Sequence, residues 1–150
     1  MLQSFPVITG AGCISRAGDG YNDTSISIFR QPVCPAPSIL AGSSLKLPVF
    51  ELTNFKSDKD EPGGRSLALL RHTLKQALPQ AELSPRELAS LRVGVCVGTT
   101  IACQLNDIPF YAELRSSGSA PVKPLINFIA GSPAEWIRRE YSLHGPALTV

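Results

Sequence analysis

The sequence holds few of the side chains that most often carry chemistry: four cysteines and two histidines among 150 residues. A nucleophilic cysteine needs a neighbouring base or a helix N-terminus to lower the pKa of its thiol. Cys103 could meet the second condition, but no feature of the sequence identifies a base for it. Neither a CxxC pair nor the spacing of a zinc site occurs, so we predict reduced, structural thiols and no metal site. The six residues are Cys13, Cys34, Cys96, Cys103, His72 and His144.

Two glycine-containing turns resemble phosphate-binding loops only in part. Gly10-Ala11-Gly12 follows an apolar segment, as in dinucleotide-binding proteins, but Ser15 stands at the third glycine position. About 20 residues further on, where a ribose-binding acid is needed, the sequence reads Phe-Arg-Gln. The turn at Gly94–Thr100 has no lysine to reach a phosphate. The sequence therefore predicts no nucleotide cofactor.

The first third of the chain has weak secondary-structure signals. Phe5–Thr9 is an apolar run that enters a glycine turn, which predicts a buried first strand. Gly18–Pro48 is rich in Pro, Gly and Ser and predicts an irregular connection, with a short strand at Ser25–Phe29. Lys56–Arg65 has the charge and glycine content of an exposed loop.

The central part alternates between helix and strand patterns. Ser84-Pro85-Arg86-Glu87 has the sequence of a capping box and predicts the start of a short helix. Leu91–Val97 is apolar on both faces, as expected of a central strand in which Cys96 is buried. His72 lies nearly opposite the apolar stripe of a preceding helix and is expected to be solvated. That helix should end near Pro79, and its stripe is Leu67, Leu70, Leu74 and Leu78.

The last 50 residues again alternate between helix and strand patterns. Ile101–Arg115 is compatible with a helix that Pro109 starts or kinks. Ser132–Glu135 again has the capping-box pattern, Gly145-Pro146 supplies a stop, and Ala147–Val150 begins another apolar strand. Helix followed by strand predicts a layered α/β fold, in one domain or one piece of a larger domain.

Composition excludes two classes of partner. The net charge is +2 and basic residues are scattered among acidic ones, so no basic face is expected that would bind nucleic acid. Glycine, proline or polar residues break every long apolar run well short of a membrane span, and no charged lead precedes the first one. We therefore expect a cytoplasmic protein that does not bind membranes.

Four stretches occur in an order that is typical of one family: VITGAGCIS, RVGVCVGTT, INFIAGSPAEWIRREY and LHGPALTV. Together they resemble the N-terminal part of the β-ketoacyl-[acyl carrier protein] synthases, condensing enzymes of the thiolase-like superfamily. The resemblance covers most of the chain. It departs at Gly18–Pro48, where most members have a tryptophan-bearing helix and a GxSG-type turn.

The resemblance implies a thiolase-like layered fold (αβαβα) of which residues 1–150 are only the incomplete N-terminal half, ending before the nucleophile elbow. It places the nucleophilic cysteine and two assisting histidines beyond Val150, so no catalytic residue is assigned within the chain. Ile101 matches a position that lines the acyl pocket, although an ordinary core role is an equal alternative. Acyl carrier protein is the implied partner and no cofactor is implied. A homodimer interface is implied at the terminal strand, at Leu148, Thr149 and Val150.

Two other classes stay open from the sequence. A non-catalytic partner subunit that resembles a chain-length factor would keep this fold without the cysteine. A small, self-sufficient interaction domain would need something else to satisfy its terminal strand. Whichever of these classes is right, the 150-residue chain alone is expected to catalyse no condensation.

Overall fold

The structure is a computed structural model that describes residues 5–39, 46–57, 64–100, 104–122, 125 and 132–150, with the backbone alone at 104–106. It is a mixed α/β structure, as the sequence predicts. The chain divides into two compact units, one formed by Met1–Lys56 and His72–Glu82 and the other by Ser57–Arg71 and Leu83–Val150. Helix α2 (Gly64–Gln80) contributes residues to both units.

The first unit contains two small antiparallel ladders and one short helix. Strands β1 (Ile14–Ser15) and β2 (Gly18–Asp19) form a hairpin against which helix α1 (Tyr21–Phe29) packs. Strand β3 (Ala36–Pro37) pairs with β4 (Pro48–Val49). The turn between β2 and α1 is Gly20, whose φ of 96° suits a residue without a Cβ.

Two sequence predictions for this unit are wrong. Phe5–Thr9 is not a strand, because no described strand lies beside it, and the Ile8 side chain is 92% exposed. The predicted short strand at Ser25–Phe29 is instead the second half of α1. An apolar run forms a core strand only when another strand supplies its ladder, and residues far along the chain decide that.

The glycine turn is held by helix α2 instead of by a neighbouring strand. The amide of Ala11 donates to Gln80 Oε1 over 3.2 Å, and the amide of Cys13 donates to Gln76 Oε1 over 2.8 Å. A Cβ on Gly12 would stand 2.0 Å from the carbonyl oxygen of Thr73. The glycines of this turn therefore allow close packing on α2, which is a structural role.

The second unit holds the core of the described residues. Its further elements are helices α3 (Pro85–Ser90), α4 (Gln104–Ser117) and α5 (Pro133–Glu140), and strands β5 (Val95–Val97) and β6 (Ala147–Thr149). Strands β5 and β6 pair in parallel and α5 packs on both. All the buried apolar side chains of the described residues lie in this unit: Leu67, Ala68, Leu88, Phe110, Ala134, Ile137 and Leu143.

The helix predictions are confirmed. Helix α2 spans the leucine stripe and ends one residue after Pro79. At the start of α3, the Ser84 hydroxyl accepts from the Glu87 amide over 3.3 Å, and the Ser84 amide donates to Glu87 Oε2 over 2.8 Å. These reciprocal bonds satisfy two of the N–H groups that a helix start leaves open. None of the described helices has the length and apolar character needed to cross a lipid bilayer.

Candidate functional site

The parallel pair of β5 and β6 brings two strand ends together at one edge. Its register pairs Val95 with Ala147 and Val97 with Thr149. Beyond the strands, the amide of Thr99 donates to the carbonyl of Val150 over 2.8 Å. In open α/β sheets, ligands bind in the crevice outside the carboxyl ends of parallel strands. The Thr99–Val150 end is therefore the candidate functional site in the described part of the second unit.

One face of this strand pair is covered and the other is exposed. On the covered face, Thr149 Oγ1 accepts from the amide of Ala134, which lies at the start of α5. On the opposite face Leu148 is 56% and Val150 67% exposed. Cys96, which pairs with Leu148, is also exposed, so the prediction that its thiol is buried is wrong. Because β5 is apolar on both sides, both of its faces were expected to be buried. The described residues cover only one of them.

Gly145 lets the chain enter β6 at contact distance from β5. Its amide donates to the Val93 carbonyl over 2.9 Å. A Cβ at this position would lie 2.3 Å from that carbonyl oxygen and 2.6 Å from the amide nitrogen of Gly94. Both neighbours are backbone atoms and cannot rotate away. The close approach therefore requires glycine at position 145.

Ser132 is the N-cap of helix α5, as the sequence predicts, but only half of the predicted capping box forms. The Ser132 hydroxyl accepts from the Glu135 amide over 3.3 Å. The Glu135 carboxylate instead accepts from Arg138 over 2.6 Å and from Arg139 over 2.8 Å. These bonds lower the pKa of Glu135 to about 2. They therefore favour the folded state above the ordinary pKa of a glutamate, and their contribution is lost as the pH falls toward 2.

Asp107, in the first turn of α4, is a buried acid. It is 5% exposed, and its Oδ1 atom has no hydrogen-bond partner among the residues that the structure describes. Burial raises the pKa of this carboxyl group. The positive end of the helix dipole opposes this shift by about 0.3–1 kcal/mol, which is less than the roughly 1–3 kcal/mol that an unsatisfied buried acceptor costs. Burial therefore disfavours the charged form of Asp107 in the folded state.

Replacing Asp107 with asparagine should stabilise the chain by about 1 kcal/mol at pH 7, because the variant keeps the shape and removes the buried charge. In the wild type, the folded state holds this proton more tightly than the unfolded state. The free energy of unfolding should therefore fall as the pH rises from the ordinary aspartate pKa through the raised one, and Asp107→Asn should remove that component. Urea unfolding at several pH values measures both effects.

The control for Asp107→Asn is Glu113→Gln, an exposed position on the same helix. It should change the free energy of unfolding by less than about 0.5 kcal/mol. Equal effects of the two substitutions would show that burial of Asp107 is not their cause.

The first unit contains a polar cluster that the sequence did not reveal. His72 Nε2 and Asp19 Oδ1 lie 2.6 Å apart, and Gln76 Nε2 donates to the same carboxylate oxygen over 2.6 Å. The His72 ring also meets Phe55 edge-on, with centroids 5.4 Å apart. The His72 side chain is 32% exposed, so it keeps contact with solvent as expected, but it is also tied to the β1–β2 hairpin. Asp19 and His72 are 53 positions apart, so no local pattern could link them.

The remaining candidate reactive side chains do not form a cluster with one another in the described part of the chain. Cys13 Sγ lies 3.6 Å from Thr24 Oγ1, and Cys34 is exposed. No group of three described His, Cys, Asp or Glu residues could hold a metal ion. Ile101 and Cys103 lie outside the described residues, so the acyl-pocket prediction for Ile101 stays a prediction.

Two comparisons with known proteins add no relative to this picture. No protein-family model matches the chain, and no curated protein matches it.

Proposed function

We propose that the chain is the N-terminal part of a β-ketoacyl-[acyl carrier protein] synthase that acts in the cytoplasm with acyl carrier protein as its partner. One observation carries the proposal: β5 and β6 pair in parallel with α5 on one face, and a buried Gly145 leads into β6. The family resemblance implies this order of strand, helix, Gly-Pro turn and strand. Strands β5 and β6 are about 50 residues apart in the sequence and pair directly in the structure. A layered fold with this order of elements needs such a pairing, which supports the proposal.

The proposed reaction uses groups that the resemblance places after Val150. A cysteine thiolate would attack the acyl thioester of the first carrier, so that a new C–S bond to the cysteine forms while the C–S bond to that carrier breaks and the carrier's thiol leaves. Loss of CO2 from a malonyl extender on a second carrier would leave a carbanion that attacks the thioester carbon. The C–S bond to the cysteine would then break, so that the cysteine is released as the thiolate and the 3-ketoacyl group stays on the second carrier. A residue that follows Val150 would emerge at the carboxyl end of the parallel pair, beside Thr99.

The coding sequence that follows Val150 tests this assignment. We expect a cysteine within the next turn of chain and two histidines further on. Another residue in place of that cysteine, with the fold signals retained, would indicate a partner subunit that resembles a chain-length factor. If both the cysteine and the two later histidines are absent, the assignment has no support.

We also propose that the enzyme is a homodimer joined along β6, through Leu148, Thr149 and Val150. No described strand lies along the free edge of β6, whose backbone groups can therefore pair with another strand. Leu148 and Val150 present exposed apolar side chains beside that edge. A symmetric pair of such strands would satisfy the backbone groups and bring the apolar side chains of the two copies next to each other on one face of the joined sheet.

Ile101 is proposed to line the acyl pocket of the full-length enzyme. Replacing it with phenylalanine should shift the products toward shorter acyl chains, because added volume in a closed pocket costs about 1–3 kcal/mol when it cannot be absorbed. The measurement is the product profile from acyl carriers of graded chain length. Ile108→Phe, at an exposed position of α4, is the control. An unchanged profile for Ile101→Phe would favour the ordinary core role.

A further inference from the structure

The first unit contains a small cavity that is lined by the β1–β2 hairpin and by the segment 52–55. Its volume is about 130 Å³. At roughly 30 Å³ for each water in the liquid, this is the space of about four waters, which admits a molecule of a few heavy atoms. Ile14, Leu52 and Phe55 form an apolar part of its wall, and Arg16 and Asp19 are the charged side chains among the described residues that line it.

The Arg16 guanidinium has most of its donors free for a ligand. Its side chain is half-buried and donates from Nη1 to Thr53 Oγ1 over 3.1 Å. No other described residue accepts a hydrogen bond from it. A guanidinium carries five N–H donors and stays charged in proteins. The bond to Thr53 therefore holds the guanidinium in position and leaves its charge and its other donors available.

The Asp19 carboxylate brings a negative charge to the same cavity. Its Oδ1 atom accepts from Gln76 Nε2 and lies beside His72 Nε2, each over 2.6 Å. These contacts hold the carboxylate against helix α2 but do not cancel its charge. Its Oδ2 atom accepts from no described residue, and the side chain is 55% exposed, so a ligand can reach that oxygen.

Arg16 and Asp19 do not neutralise each other directly. No side-chain nitrogen of Arg16 lies within 4.0 Å of a carboxylate oxygen of Asp19 in the described structure. Thr53 holds the first group and helix α2 holds the second, so the two charges are anchored to different parts of the unit. A simple anion is attracted by Arg16 and repelled by Asp19, and a simple cation meets the reverse. Only a ligand that carries both charges is attracted by both residues.

We propose that this cavity binds a small zwitterion, an amino acid with a short side chain or none. The ligand's carboxylate accepts from the Arg16 guanidinium, and its ammonium group donates to Asp19 Oδ2. Both contacts are charge-assisted hydrogen bonds, which are roughly twice as strong as neutral ones. The apolar part of the wall suits the carbon atoms between the two charged groups. This site is independent of the proposed condensing activity.

The test is calorimetric titration of the protein expressed from its natural gene with glycine and, separately, with β-alanine, whose charges are one carbon further apart. We expect saturable binding of at least one of them at millimolar concentration, and the tighter ligand shows the charge spacing that fits. Acetate and methylammonium carry one of the two charges each. They should bind at least about tenfold more weakly, the loss typical of one charge-assisted hydrogen bond. Equal affinities for the zwitterion and either single-charge ligand, or no saturable binding of either zwitterion, would overturn the proposal.

Substitutions show whether the binding occurs in this cavity. Arg16→Gln and Asp19→Asn should each weaken the zwitterion at least about tenfold. The asparagine keeps an oxygen that can accept from Gln76 and His72, so the contact with helix α2 is retained. The controls are Arg86→Gln on α3 and Glu113→Gln on α4, both exposed, and they should leave the affinity unchanged.

Circular dichroism of each variant checks that the fold is retained, and where a variant does not fold, the single-charge ligands on the wild type decide. Unchanged affinity in folded Arg16→Gln or Asp19→Asn protein would contradict the assignment of the site.

Discussion

Replacing Gly145 with alanine should lower the free energy of unfolding by about 3 kcal/mol, at the upper end of the cost of overpacking. The new Cβ would lie 2.3 Å from the Val93 carbonyl oxygen, and that oxygen already accepts the Gly145 amide. The two segments would have to separate, which breaks the bond that starts the β5–β6 ladder. Denaturant unfolding followed by the fluorescence of Trp136, the single tryptophan of the chain, measures the loss.

Gly98 provides the matched control for Gly145. A Cβ on Gly98 would meet no atom of a described residue within 4 Å, and its φ is not positive. Gly98→Ala should therefore change the free energy of unfolding by less than about 0.5 kcal/mol. If both substitutions cost the same, the close approach at Gly145 would not be the reason for its effect.

Replacing Leu148 with aspartate should weaken the proposed dimer at least about 100-fold, because each interface would lose two apolar side chains and gain two carboxylates that repel each other across the paired strands. The residue is 56% exposed on β6 and is directly opposite Cys96 in the β5–β6 register. Sedimentation equilibrium of the protein expressed from its natural gene gives the dissociation constant.

Ile108→Asp is the control for Leu148→Asp, because Ile108 is exposed to a similar extent, 53%, but lies on helix α4. It should leave the dissociation constant unchanged. A monomeric wild type, or a dimer that tolerates Leu148→Asp, would remove the interface from β6.

Local signals predicted helices α2, α3 and α5 well, although not α1, because the bonds that define these helices are local. The Ser84 and Ser132 caps each connect residues three positions apart, and the sequence contains both partners of each bond. The leucine spacing in α2 is similarly a property of one segment. The carboxylate of Glu135 was the exception, because arginines one turn later compete for it more strongly than a backbone amide does.

Features that depend on distant residues could not be predicted in the same way. Phe5–Thr9 has a strand composition, but a strand also needs a partner along its edge. The contact between Asp19 and His72 exists only because the β1–β2 hairpin packs beside α2. Cys96 was expected to be buried because β5 is apolar on both faces, and the pattern does not tell which face a helix covers.

The strands of the candidate site were predictable, whereas the burial of Asp107 on helix α4 of the same unit was not. The parallel partners β5 and β6 were both recognised as apolar strands, and the pairing of their ends follows from the fold class. Asp107 gave no signal in the sequence, since an acid in the first turn of a helix is usually exposed. Its burial depends on packing around α4 that no local pattern encodes.

The central claim is that the protein is a condensing enzyme, and the most direct test is an assay of the protein expressed from its natural gene. Acyl-loaded and malonyl-loaded acyl carrier proteins are the substrates, and the readouts are 3-ketoacyl carrier and CO2. We predict equal amounts of the two products, with both lost when the cysteine expected after Val150 is replaced by alanine. Absence of 3-ketoacyl product from the folded wild-type protein would contradict the assignment.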